Sequence, residues 1–93
     1  MTVQVLIPTP LQKITKNQAE VPASGTSIKE VLADMESNYP GLRQRLYDEN
    51  GQLRRFVNIY VNEEDIRFLN GEQTTVKDGD KVSIVPAIAG GSR

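Results

Sequence analysis

The sequence predicts a two-layer α+β domain in which several short strands and one amphipathic helix share a single core. Three observations predict it. Runs with a period of two stand at residues 3–7, 56–62 and 81–85. One segment, opening at Ser27, carries apolar residues at helical spacing instead. The chain is 93 residues long, which leaves room for one core and not for two.

The elements follow in order. Over residues 3–7, Val3, Val5 and Ile7 fall on one face and Gln4 and Leu6 on the other, the pattern of a half-buried strand. Pro8 and Pro10 stop it, because proline brings no donor to a ladder. The polar stretch 12–17 leads to a short second strand at 18–22, giving a hairpin with a long loop. Ala23-Ser24-Gly25-Thr26 turns the chain into the helix, where Ser27 and Glu30 fit a capping box. Ile28, Val31, Leu32 and Met35 stand at i, i+3, i+4 and i+7, a single apolar stripe that one sheet face can bury. Asn38 and Pro40-Gly41 end the helix. Leu42 and Leu46, four apart, mark a short helical turn. Residues 48–52 read as a plain loop, since no strand alternation precedes Asn50-Gly51.

The strongest strand is 56–62, with Val57, Ile59 and Val61 toward the core and Phe56, Asn58 and Tyr60 on the opposite face. Glu63-Glu64-Asp65 reads as a turn and Ile66-Arg67-Phe68 as a short returning strand. After turns at Asn70-Gly71 and Asp78-Gly79-Asp80, the last strand spans 81–85, with Val82 and Ile84 inward and Pro86 ending its ladder. The chain therefore divides into a domain, 1–86, and a C-terminal tail, 87–93, expected to be flexible and carrying Gly90-Gly91.

Composition narrows the function. Eleven Lys and Arg against twelve Asp and Glu leave a formal charge of −1, which draws the chain neither to nucleic acid nor to an anionic membrane. Without cysteine there is no disulfide, thiolate metal site or cysteine nucleophile. Without histidine, the commonest general base and metal ligand is missing as well. The expectation is a protein that is not an enzyme. Glu63, Glu64, Asp65, Asp78 and Asp80 lack the spacing of a calcium loop, so no metal site is expected. No Gly-rich loop carries the Lys-Ser/Thr of a nucleotide cradle, which assigns any ATP to a partner. Arg43, Arg45, Arg54 and Arg55 read as solvated residues rather than a basic strip. The first residues resemble a strand and not a signal peptide, and no apolar run approaches the ~20 residues of a membrane span, so a cytoplasmic protein is expected.

At the C-terminus a family comes into view. The run from Asp78-Gly79-Asp80 through Lys81, Val82, Ser83, Ile84, Val85 and Pro86 to Gly90-Gly91 resembles the C-terminal signature of the ThiS/MoaD sulfur-carrier family. Residues 56–62, the acidic turn and Ile66-Arg67-Phe68 are similar to the subgroup that includes the carrier serving cysteine biosynthesis in mycobacteria. The resemblance implies a ubiquitin-like β-grasp fold, a mixed sheet packed on one main helix, with the first and last strands side by side. It also implies a mechanism. An E1-like adenylating enzyme uses ATP and Mg²⁺ to activate the carboxylate of Gly91. Sulfur then displaces AMP to leave a thiocarboxylate, the donor for a sulfur-accepting biosynthetic enzyme in a cysteine, molybdopterin or related pathway. The carrier itself binds no cofactor. Gly90 and Gly91, lacking Cβ atoms, suit a tail that must thread a narrow channel.

Two features qualify that expectation. Leu6, Phe56, Tyr60 and Val85, with Phe68 and Ile88 added, are candidates for a partner-docking patch beside the tail; scattered surface apolar residues are the competing explanation. Ser92-Arg93 follows Gly91, and while it remains the Gly91 carbonyl is an amide with nothing to adenylate. The extension is removed by a peptidase, as JAMM-type metallopeptidases do for some carriers, or is foreign to the native chain, or keeps the chain from ever being charged; processing is the favoured account. A monomer that meets its partners transiently is expected, and a ubiquitin-like modifier or non-catalytic binding module is the alternative function.

Overall fold

The computed structural model of the chain describes residues 2–55 and 57–86. One five-stranded sheet is built from β1 (Thr2–Leu6), β2 (Glu20–Ser24), β3 (Val57–Val61), β4 (Glu64–Asp65) and β5 (Lys81–Pro86). The strands lie in the order β2-β1-β5-β3-β4. β1 and β5 run parallel at the centre, and every other neighbouring pair is antiparallel. A parallel pair cannot be joined by a tight turn. Here the connection takes in α1 (Ile28–Asn38), the short α2 (Leu42–Leu46) and strands β3 and β4 before β5 returns beside β1. This is the expected β-grasp arrangement.

The helix forms where its pattern predicts. The Ser27 hydroxyl accepts a hydrogen bond from the Glu30 N–H at 3.3 Å. Glu30 does not close the box on Ser27. It reaches one residue further back, accepting from the Thr26 N–H (2.8 Å) and hydroxyl (2.9 Å), because Thr26 offers two donors together. Ile28, Val31, Leu32 and Met35 are completely buried, against a sheet face made by Val3, Val5, Val21, Val82, Ile59 and Ile84. Each such aliphatic side chain contributes roughly 1.5–3 kcal/mol by leaving water.

Several boundaries differ from the sequence expectation. The second strand is Glu20–Ser24, shifted toward the helix, with Val5 opposite Val21 and Val3 opposite Ala23. Pro22 is tolerated because β2 is an edge strand. Ile66–Phe68 is not a returning strand but a 3₁₀ turn, and the return is Glu64–Asp65, within the acidic run expected to be a turn. The turn itself is only Asn62-Glu63, both at positive φ (50° and 77°), as two-residue hairpins require. Asp65 then accepts the Arg67 N–H at 2.8 Å, and that cap draws the chain out of the sheet. Pro86 does not end the ladder either: it pairs with Val57. The hydrogen bond from the Asn62 N–H to the Lys81 carbonyl sets the phase of this ladder, so Val57 and Pro86 form a pair that exchanges no hydrogen bonds. Proline loses nothing there. Residues 48–52 are closed by an isolated Tyr47–Leu53 bridge and are thus more hairpin-like than expected.

Candidate docking face and tail root

The helix covers one side of the sheet and leaves the other open. Because side chains alternate, the residues beside the buried Val5, Ile59, Val61, Val82 and Ile84 must point to the open side. Register then fixes their neighbours. Leu6, Ser83, Tyr60 and Asp65 form one row across β1, β5, β3 and β4, and Val85 and Asn58 stand opposite each other in the next. Leu6 and Tyr60 are half-buried, whereas Val85 is 41% exposed.

The expected docking residues gather in two places. Leu6 and Val85 join Pro8, Ser83 and Pro86 in a shallow apolar shelf. Since Pro86 is the last residue of β5, this shelf lies at the root of the segment that follows. Phe68 is not beside it. It is 85% exposed on the 3₁₀ turn and borders a separate hollow with Tyr60, Leu69, Glu63, Glu64 and Arg67. Tyr60 links the two regions through Ser83. Phe56, Ile88, Gly90, Gly91, Ser92 and Arg93, with the expected tail 87–93, lie outside the described residues.

Arg67, Asp65 and Asp80, near this face, are occupied in holding turns. Arg67 donates from Nη2 to Asp65 Oδ2 at 2.8 Å, and its side-chain and backbone hydrogen bonds hold the Asp65 carboxyl below its ordinary range. Asn62 donates to Asp80 at 3.0 Å and accepts the Lys81 N–H at 3.1 Å. That amide, followed by the Lys77 N–H, lowers the Asp80 carboxyl. Among the described residues, no three acidic groups gather as metal ligands would.

A further cleft, of about 520 Å³, opens where β3 begins, lined by Leu53, Arg54, Arg55, Ile59, Ile66 and Glu72 among others, and no pattern of residues announces it. The four arginines do not act together. Arg43 pairs with Glu36 at 3.1 Å and lies 5.4 Å from the Tyr47 ring centre, while Arg54 donates twice to the Gln44 carbonyl. Tyr47 donates to Glu72 at 3.0 Å, and burial, then that bond, pushes its phenol up. The open face is a sheet surface that no element among the described residues covers, and its shelf adjoins the end of β5.

Comparison with known proteins gives this arrangement its class. The model of the ThiS family matches residues 5–91, a span that includes Gly90-Gly91. The sulfur carrier protein CysO of Mycobacterium tuberculosis is 52% identical over 93 residues, covering 98% of this chain and all of the relative. CysO in the BexX/CysO complex of Amycolatopsis orientalis superposes with a TM-score of 0.88 at 46% identity, over 96% of this chain and 99% of that one. Small archaeal modifier protein 1 of Methanosarcina acetivorans superposes with a TM-score of 0.84 at 31% identity, over 97% and 96% of the two chains. The chain belongs to the ThiS family. Its role is that of a sulfur carrier, a small protein without catalysis of its own. Among the described residues, no helix is long and apolar enough to cross a membrane.

Proposed function

We propose that the carrier is charged at Gly91 once Ser92-Arg93 has been removed. Hydrolysis of the Gly91–Ser92 peptide bond by a JAMM-type metallopeptidase frees the carboxylate. An E1-like enzyme joins that carboxylate to the AMP portion of ATP, with Mg²⁺, and releases pyrophosphate. Sulfide then attacks the acyl carbon, AMP leaves, and a thiocarboxylate remains. Where a persulfide attacks instead, the acyl disulfide formed as AMP leaves is cleaved by a thiol of the sulfur-donating protein, which ends as a disulfide and frees the same thiocarboxylate. A free carboxylate resists nucleophiles, and the acyl phosphate removes that resistance by supplying a good leaving group. The observation that carries this reading is the course of β5: the central strand ends at Pro86 beside the Leu6–Val85 shelf, so a partner held there is held next to the segment bearing Gly90-Gly91.

Leu6, Val85 and Tyr60 are assigned to docking the adenylating enzyme, with Phe56 and Ile88 expected to extend the same surface and Phe68 to mark its far corner. ATP and Mg²⁺ belong to that enzyme and not to this chain. The sulfur acceptor is a biosynthetic enzyme, and cysteine synthesis is favoured on the likeness of residues 56–68 to that subgroup. The carrier works as a cytoplasmic monomer in transient complexes. Intact-mass spectrometry of the chain from its native host tests this. A product ending at Gly91, heavier by the exchange of one carboxylate oxygen for sulfur, is expected; a full-length, unmodified chain under sulfur demand would overturn it.

The likeness to a small archaeal modifier protein favours one second reading, in which Gly91 forms an isopeptide bond to a lysine of a target protein. The same spectra, showing protein adducts in place of a thiocarboxylate, would select it.

A further inference from the structure

Three large apolar side chains are exposed among the described residues, and two of them, Phe68 and Leu69, are neighbours on one turn. Phe68 is 85% exposed and Leu69 39%. The turn that carries them is held on both sides. Before Phe68, Ile66 is buried, and Asp65 accepts the Arg67 N–H and the Arg67 Nη2, each at 2.8 Å. After it, the Leu69 N–H donates to the Ile66 carbonyl at 3.0 Å, and the Asn70 N–H to the buried Thr74 hydroxyl at 3.1 Å. A ring so exposed adds little to the fold, since few of its atoms leave water. Presented on a turn that is already fixed, it costs little ordering to dock.

The surroundings of this apolar pair are acidic. Glu63 and Glu64, both exposed, border the same hollow of about 460 Å³, together with Tyr60 and Arg67. Arg67 is engaged by Asp65. The ion pairs among the described residues, Arg43–Glu36 and Arg67–Asp65, include neither glutamate. Two uncompensated carboxylates therefore stand beside an exposed aromatic ring, in a chain whose formal charge is only −1.

We propose that Phe68 and Leu69 are a second docking point, received by an apolar pocket of a partner protein whose rim carries lysine or arginine opposite Glu63 and Glu64. The inference rests on the sulfur-carrier reading and adds the chemistry that the partner must present. Phe68 supplies the binding, as aromatic anchors in protein interfaces do, and the glutamates turn away partners with an acidic rim. Its position gives this point a task. The turn follows β4, three strand spacings or about 14 Å from β1, whereas the Leu6–Val85 shelf lies on the β1–β5 side. One grip at the shelf leaves the carrier free to rotate about it. Two grips across the sheet fix the direction in which the segment after Pro86 is offered.

The test uses two proteins of the same organism, the E1-like adenylating enzyme and the cysteine-synthesising acceptor enzyme. Each is titrated calorimetrically against the wild-type chain, Phe68→Ser, and the double variant Glu63→Gln with Glu64→Gln. Thermal unfolding of every chain runs alongside, with NMR of the Phe68 ring in the wild type. Both variants are expected to melt with the wild type, because the altered side chains are exposed. Phe68→Ser is expected to weaken binding to at least one enzyme about tenfold or more. The double variant is expected to flatten the salt dependence of that same binding. Affinity for both enzymes unchanged by Phe68→Ser overturns the proposal, and so does a salt dependence that the double variant leaves as it was. If Phe68→Ser does not fold, the ring signals decide: they are expected to move on adding an enzyme, and signals that stay in place with both overturn the proposal. A wild-type chain that binds neither enzyme overturns the sulfur-carrier docking reading together with this one, whereas wild-type binding indifferent to Phe68→Ser overturns this one only.

Discussion

Pro86 stands directly opposite Val57, so the end of the central strand and the start of its neighbour share one rim of the sheet. The C-terminal segment therefore departs from a fixed point between the Leu6–Val85 shelf and the Arg54-Arg55 approach to β3. Its root is held by pairing with β3, which is what a partner needs if it is to capture the end of the chain by gripping the body.

Val85→Asp tests that grip. The side chain is 41% exposed, so the fold should survive with a loss of about 1–2 kcal/mol, the scale of exchanging a strand-favouring, partly covered valine for aspartate. Charging by the adenylating enzyme should fall at least about tenfold, because a carboxylate would have to be dried against an apolar partner. Steady-state kinetics of pyrophosphate release, alongside a urea melt, checks both halves.

Leu32→Ala should lower stability by about 2–5 kcal/mol, the cost of a cavity beneath a fully packed helix. The urea midpoint should drop with little change in slope. Affinity measured on the folded fraction should hold, since Leu32 lies on the far side of the sheet from the docking face.

Gly25→Ala should also destabilise, by roughly 1–3 kcal/mol, although only one methyl is added. A Cβ at Gly25 would stand 2.9 Å from both the Glu30 Cβ and the Val31 nitrogen, with φ at +157°. Neither is the loose end of a side chain. Thermal unfolding checks it, and Gly51→Ala, whose Cβ would meet nothing within 4 Å, separates the clash from backbone strain, since both glycines hold positive φ.

The pH dependence has a definite sign. Asp80 is held below its ordinary value by the Asn62 amide first and the Lys77 N–H second, so the folded state favours the ionised form. Its contribution is complete above the unfolded value of about 3.9 and is lost as pH falls below that toward the folded value. The melting temperature should decline through this acid range, and Asp80→Asn should flatten the decline. Tyr47 works in the opposite direction. Its phenol is raised by burial and by Glu72, so stability is complete below the unfolded value of about 10 and is lost as pH rises beyond it. Tyr47→Phe should remove that alkaline loss, at the expense of the bond to Glu72.

Much of this was legible in the residues themselves. The stripe of Ile28, Val31, Leu32 and Met35 names a helix and its buried side together, and the alternation of Val57, Ile59 and Val61 names a strand and its faces. What escaped was short and decided by side chains. Asp65 capping Arg67 turned an apparent strand at Ile66 into a 3₁₀ turn, and so carried Phe68 away from Val85. Whether Pro86 breaks a ladder depends on the phase of that ladder, which Asn62 and Lys81 set from the other end. The open-face position of Asn58 followed from alternation, but nothing in the order of residues says that its carbonyl finds no donor. The cleft beside Arg54 and Arg55 joins segments as far apart as Leu53 and Glu72, and no local pattern records such a meeting.

The parallel seam between β1 and β5 joins residues 4–6 to residues 81–83, and the Asp78–Asp80 turn clasps it: Asp78 accepts the Thr2 N–H and the Asp80 carbonyl accepts the Gln4 N–H, each at 3.0 Å. β1 pairs with β2 at once, but its second neighbour is supplied only from residue 81 onward, and contacts so distant in sequence are slow to form. Copies in which β5 has not reached β1 lack the seam and, with it, the Leu6–Val85 shelf that spans it.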